Sequence, residues 1–475
     1  MPLPPQIQFP RIVLSRLTIV LVGTLVAILA LVGLLSITRD TPVSFVLPVE
    51  PDDRPPVIAE PEFARTMELF TGLHLEPGNT VQQLLNGDGT YPVLWRDLRA
   101  AQRSITVQMY YSLPSTVADT LQAILIERAR AGVRVLLLLD AFGSQNLGEE
   151  WQKALTDAGV QVRLLRPLHW WTLHKAANRS HVRVVVVDGR IGYTGGFGLA
   201  DYWLGSGRRK DEWREANVRF TGPAVQALQA AFAIGWAEAT GVLLTGQLLN
   251  PRNSAAHAPT ARVAARDTTS SGAAPPATAA GQSPADTVPA IRTAVAGLLF
   301  TQPTEGSTGA ERFFALTIAG AQKRLWIANS YFVPNDDFRR LLAQAAKRGV
   351  DVRILTVSHQ TDVITTRFAA RAHYESLLMS GVRIWEYQPT MMHAKTIVAD
   401  GVFGTIGSIN FDNRSMAFNN ESALVVLDET FAGEMEQAFE EDLRHSKQIL
   451  LPEFRRRGIG QRILEQGATL LSRLL

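Results

Sequence analysis

Two histidines carry the chemistry that this sequence can do. His393 opens the run His393-Ala394-Lys395-Thr396-Ile397-Val398-Ala399-Asp400-Gly401, which is followed by Gly407-Ser408. An imidazole beside an ammonium group suits a phosphoryl centre, one acting as nucleophile or proton donor and the other clamping negative charge. His181-Val182-Arg183 repeats the arrangement, with four valines, Asp188-Gly189 and then Gly195-Gly196. Both copies keep the spacing H-x-[KR]-x4-D, and a pair of small residues begins seven positions after each Asp. One such match arises by chance in roughly one chain in twenty; a second in register is far rarer. The candidate catalytic set is therefore His181, Arg183, Asp188, His393, Lys395 and Asp400.

The elements that must position these groups are legible nearby. Each run between the basic residue and the Asp is β-prone, and Asp-Gly is a hairpin-turn signal. Residues two apart on a strand share a face, so His393 and Lys395 are expected to point into one pocket. Upstream, helical signals at 93–101 lead into a strand at 104–111. A helix at 118–131 and a strand at 133–139 follow. Another helix ends at Gly159, before a strand at 160–165. Alternation of this kind predicts an α/β layered domain. Trp170 and Trp171 stand on the approach to the first motif, either at a lipid-facing mouth or packed in a loop.

The pattern then restarts. Ala101, Gln102, Arg103, Tyr111 and Pro114 recur at one constant offset as Ala321, Gln322, Lys323, Tyr331 and Pro334. Gly132-Val133 and Gly159-Val160 are echoed by Gly349-Val350 and Gly381-Val382. A duplication with so long a period means two similar domains rather than a solenoid. A pseudo-twofold pairing of them would bring the two histidines face to face.

Composition sets the surroundings. At 475 residues and a formal charge of +3, the chain is long enough for two domains and too weakly basic to coat nucleic acid. It has no cysteine, which excludes disulfides and thiolate chemistry. Residues 17–37 carry no charge and match a bilayer core in length. A signal peptide is the competing reading, but Ser36-Ile37-Thr38-Arg39 is a poor cleavage site. An uncleaved transmembrane anchor is expected, with a slight lean towards an extracytoplasmic catalytic part. Residues 250–289 are dominated by small and polar residues and Pro, with too little large apolar content to fold. The tail from Pro452 contains Arg455-Arg456-Arg457 and an apolar face through Ile459, Ile463, Leu464 and Leu470. It reads either as an interfacial membrane helix or as a helix packed on its own domain.

The paired motifs with their small residues resemble the phospholipase D superfamily, and within it the bacterial cardiolipin synthases. The likeness is carried also by Trp213-Arg214-Glu215, Tyr331-Phe332-Val333-Pro334 and Asn410-Phe411-Asp412-Asn413-Arg414-Ser415. It implies an α/β fold of two phospholipase D-like α/β/α sandwich domains packed as a pseudo-dimer, preceded by one transmembrane helix. The expected parts are an anchor (1–39), a proline-rich tether (40–61), a first domain (62–247), a disordered linker (248–290), a second domain (291–450) and a basic amphipathic tail (451–475).

The resemblance further implies phosphatidyl transfer through a phosphohistidine, without metal or other cofactor, on phospholipids such as phosphatidylglycerol at an inner-membrane surface. No nucleic-acid partner is expected. It assigns His181 as nucleophile and His393 as acid, with Lys395 and Arg183 on the phosphoryl oxygens. Gly196, Ser408 and Asn410 fall at phosphate-contacting or orienting positions, and Glu215 and Glu421 at positions that orient the histidines. Asp188 and Asp400 are expected to shape turns rather than react. Two departures stand out: Arg183 replaces a lysine, and Gly198 replaces an asparagine. Hydrolysis to phosphatidic acid, phosphodiester nuclease activity and a decayed lipid-binding site are the alternatives.

Overall fold

The computed structural model describes residues 54–167, 178–246, 293–302 and 308–470, together with 43–48 and scattered positions between 15 and 28. The 248–290 linker, Trp170 and Trp171 lie outside the described residues, as does most of the apolar stretch 17–37. Among the described residues no helix is long and apolar enough to cross a membrane.

The first half supplies strands β1 (Glu76–Leu85), β2 (Ser104–Met109), β3 (Arg134–Asp140), β4 (Gln161–Leu165), β5 (Val184–Val187), β6 (Ile191–Gly195), β7 (Trp213–Arg214) and β8 (Ala216–Thr221). The second supplies β9 (Ala294–Thr301), β10 (Arg324–Asn329), β11 (Asp351–Val357), β12 (Arg383–Tyr387), β13 (Met391–Met392), β14 (Lys395–Ala399), β15 (Phe403–Gly407), β16 (Glu421–Leu427) and β17 (Ser446–Ile449). Fifteen of these form one mixed sheet in the order β17-β12-β11-β10-β14-β15-β16-β9-β1-β8-β6-β5-β2-β3-β4. Read outward from the central β1–β9 pair, the two wings have the same order, with β17 as an extra edge. The duplication in the sequence is thus a duplication of sheet topology.

Each wing joins a parallel trio to antiparallel neighbours: β2-β3-β4 on one side and β10-β11-β12 on the other. The near-continuous apolar runs of β3 and β5 follow from burial on both faces. One face carries a core shared by both halves, under the helices Ala224–Thr240 and Glu429–Arg444. The opposite face is split into a first-half cluster and a second-half cluster.

The segment 58–73, around the start of the expected first domain, packs on the second half. Ile58, Phe63, Met67 and Leu73 are buried with the second-half cluster, against the helix Gly309–Gly320. Even the proline-rich stretch takes part, since Val43 and Val46 pack on that cluster and Phe45 lies under the Arg340 guanidinium. Short apolar residues among prolines gave too weak a periodic signal to reveal this.

Candidate active site

The Asp of each motif does structural work. Asp188 and Asp400 end β5 and β14 with positive φ, 54° and 53°, each followed by a positive-φ glycine. Asp188 accepts the backbone N–H groups of Gln102, Arg103 and Ser104 at 2.7–3.2 Å. Asp400 accepts those of Gln322, Lys323 and Arg324 at 2.7–2.9 Å. The echo of Ala-Gln-Arg in Ala-Gln-Lys and the echo of the motif are therefore the two sides of one contact. Neither carboxylate lines the cavity that holds the histidines.

Backbone bridges between the halves set the histidines. β7 and β13 pair in parallel, and the His393 N–H donates to the Arg214 carbonyl at 2.7 Å. On the other side Ser180 bridges Asn420, and the His181 N–H donates to the Asn420 carbonyl at 2.9 Å. In each case the accepting residue immediately precedes a buried glutamate of the opposite half. His393 Nδ1 lies 2.5 Å from Glu215 Oε2, and His181 Nδ1 lies 3.0 and 3.1 Å from the two Glu421 oxygens. Sequence order gave no hint of this crossing, because each glutamate follows the motif of its own half.

Both imidazoles line one cavity of about 550 Å³, and neither Nε2 has a hydrogen-bond partner among the described residues. With Nδ1 fixed on a carboxylate, Nε2 is the nitrogen left to react. Burial is the largest influence on both and lowers each pKa to about 4; Arg183 and Lys395 push the same way, while the glutamates oppose. Both rings are therefore neutral at neutral pH. The carboxylate of Glu215 is held below its usual range, against its own burial, by the His393 contact.

The two basic residues behave differently. Arg183 lines the cavity, donates to the carbonyls of His181 and Phe197 and lies under the Tyr110 ring at 5.6 Å. Lys395 does not line it, contrary to the shared-pocket expectation. Strand β14 begins only at Lys395, so His393 sits in the connection from β13 and strict alternation does not apply. The ammonium turns instead to Ser330 Oγ at 2.8 Å and to the His393 carbonyl. Buried there, its pKa falls to about 7.

Ser330 stands, in the duplicated pattern, where the first half has Tyr110. The departure at Arg183 is thus matched by a change in what the cation rests on: a phenol ring in one half, a hydroxyl in the other. Gly198 has a comparable reason. A Cβ there would lie 2.5 Å from the Trp203 ring, whose indole N–H donates to Glu215 at 3.1 Å. Gly196 likewise makes room, since its Cβ would come 2.5 Å from the Glu215 carboxylate. Its counterpart Ser408 donates its hydroxyl to Glu421 and does not line the cavity, whereas Asn410 does. Trp203 is a residue that sequence reasoning missed; the glycine at 198 was the available signal.

The "Cardiolipin synthase, PLD-like domain" family profile matches residues 94–236 and 315–443. Cardiolipin synthase 1 of Bacillus cereus is 30% identical over 413 residues, covering 86% of this chain and 75% of that protein. Cardiolipin synthase A of Pseudomonas fluorescens is 30% identical over 430 residues, covering 88% and 82%. Among solved structures, a phosphatidylserine synthase from Haemophilus influenzae superposes with a TM-score of 0.61 at 15% identity, over 87% of this chain and all of that one, a likeness of fold.

Proposed function

The chain belongs to the family of the cardiolipin synthase phospholipase D-like domain, and on that premise we propose that it is a membrane-bound phosphatidyltransferase joining two phosphatidylglycerol molecules. The observation that carries this reading is the pair of neutral imidazoles, each backed by a glutamate from the other half and each with Nε2 open to one cavity.

In the first step His181 Nε2 attacks phosphorus, a P–N bond forms and the P–O bond to the headgroup glycerol breaks. His393 gives its proton to the departing alkoxide. Burial lowers its pKa to about 4; a phosphodiester anion between the rings favours the imidazolium and brings the proton with the substrate. Arg183 meets the charge that builds on the non-bridging oxygens. In the second step His393 takes the proton from an acceptor hydroxyl, whose oxygen attacks phosphorus and releases His181. Net charge on the protein is restored at the end of the cycle.

The membrane reading rests on the uncharged stretch 17–37 and on the last described helix, Ile459–Thr469. That helix is held on the helix Ile364–Met379 through the Arg371–Glu465–Arg457 ion pairs, yet leaves Ile459, Ile463 and Leu464 exposed beside Arg462. One face of the helix is thus packed on its own domain, and the open apolar face supports a contact with a bilayer surface.

Expression in a host lacking cardiolipin synthases, with His181→Ala and His393→Ala alongside, tests the proposal. Cardiolipin should appear with the unaltered chain only. Phosphatidic acid without cardiolipin would make it a hydrolase, and no lipid turnover at all would sink the reading.

A further inference from the structure

The two walls of the cavity are equivalent segments of the duplication that have diverged completely. The offset relating His181 to His393 also relates Gly198 to Asn410, Tyr202 to Arg414 and Trp203 to Ser415. On the first-half side the result is aromatic: Tyr202 stacks on Trp213 at 4.0 Å, and Trp203 meets Trp213 at 4.9 Å. On the second-half side the same positions carry a cation, a hydroxyl and an amide, joined by Asn419.

This polar wall is unsatisfied. The side-chain oxygens of Asn410, Ser415 and Asn419 are buried, the residues being 4%, 1% and 7% exposed, and none has a hydrogen-bond partner among the described residues. Native structures leave few such atoms unpaired, and several on the wall of one cavity point to a ligand. Arg414 is half-buried and lines the same cavity, and no ion pair or side-chain hydrogen bond holds it among the described residues. Two carboxylates also line the cavity, each with a partner of its own. Asp362 is engaged by the Tyr331 hydroxyl at 2.7 and 2.8 Å, and Asp412 accepts the Ser415 N–H at 2.8 Å while burial pushes its pKa up to about 7.

We propose that Arg414 and Ser415 form a second anion subsite that takes the phosphodiester of the acceptor lipid, with the Asn410 and Asn419 amide oxygens accepting from its headgroup hydroxyls, while the reacting phosphodiester occupies the space between His181, His393 and Arg183. The inference rests on the transferase reading and deepens it, because it names the residues that hold the acceptor lipid in preference to water. A water molecule needs neither a cation nor a row of polar groups. A phosphatidylglycerol acceptor brings a permanent negative charge for Arg414, oxygens for the Ser415 hydroxyl, and headgroup hydroxyls for the amide oxygens. Held there, its terminal hydroxyl attacks the phosphorus on His181, the P–N bond breaks, and the proton passes to His393.

The test is the product ratio from full-length protein in phosphatidylglycerol vesicles, diphosphatidylglycerol against phosphatidic acid. Arg414→Ala should lower that ratio by about tenfold to a hundredfold, the effect of losing a charged hydrogen bond, and Arg414→Lys should recover part of it. Using a ratio keeps the result readable even where the variant yields less folded protein. An unchanged ratio, or a loss shared equally by both products, overturns the subsite. Unaltered protein that releases only phosphatidic acid overturns it too while leaving phosphodiester chemistry at the histidines intact; protein inert to every phospholipid overturns both readings.

Discussion

His181 and Glu421 touch across 240 residues of sequence, the imidazole Nδ1 lying 3.0 Å from the carboxylate. His393 and Glu215 repeat the contact in the opposite direction. Each half of the duplication thus carries one reactive ring and the counter-charge for the other ring.

Glu421→Gln and Glu215→Gln should each cut turnover by roughly 10²–10⁴-fold, the range for groups that orient and support an acid–base residue. The carboxylates raise the histidine pKa values against burial, so each Gln variant should also lower the pKa of the histidine it faces. Steady-state assay and an NMR titration of the ring check both. A Gln variant with normal turnover would remove the glutamates from the mechanism.

Acid should destabilise the fold through the same rings. His181 and His393 titrate near 4 when folded and near 6.5 when unfolded. The unfolded chain therefore binds more protons between those values, and stability is lost as pH falls from about 6.5 to about 4. The loss is on the order of a few kcal/mol for the pair. Melting curves across that window should slope less in His181→Ala and His393→Ala than in the unaltered chain.

Arg183→Lys should lose about tenfold in rate, because an ammonium cannot keep the bonds to the carbonyls of both His181 and Phe197 while facing the cavity. Adding Tyr110→Ser rebuilds the arrangement found around Lys395 and Ser330. A double-mutant cycle should then show coupling of roughly 0.5–3 kcal/mol. Additive losses would mean that the two changes are unrelated.

Gly198→Asn gives the first half the residue that its counterpart Asn410 carries in the second, and should still harm this protein. The added Cβ meets the Trp203 ring at 2.5 Å, an overpacking that costs about 1–3 kcal/mol. Displacing the indole also takes a hydrogen bond from Glu215. Thermal melting and activity should fall together.

Asp188→Ala and Asp400→Ala should do the reverse of a catalytic substitution. Each strands three backbone N–H groups at the end of a motif strand. The expected cost is about 1–3 kcal/mol in stability, with turnover per folded molecule unchanged. A loss of turnover in fully folded protein would contradict the turn role.

Much of this was readable beforehand because duplication makes a sequence its own control. The repeated H-x-[KR]-x4-D runs located β5 and β14, and the alternation of apolar runs with helices located β2–β4. Features made by contact between distant segments were not readable. Nothing near Glu215 points to His393, since the β7–β13 bridge that joins them is two residues long. Lys395 misled because its spacing from His393 suited a strand that in fact starts two residues later, at Lys395 itself. The packing of Ile58 and Phe63 on the far half depends on shape that periodicity does not encode.

The crossed pairing has a consequence for how this protein could be divided. A fragment ending before β9 would hold His181 with no carboxylate behind it and Glu215 with no ring to support, and its β1 edge would stand open. The complementary fragment would be short of the same things in mirror fashion. Gene doubling here has produced not two sites in tandem but a single one to which each half brings a part.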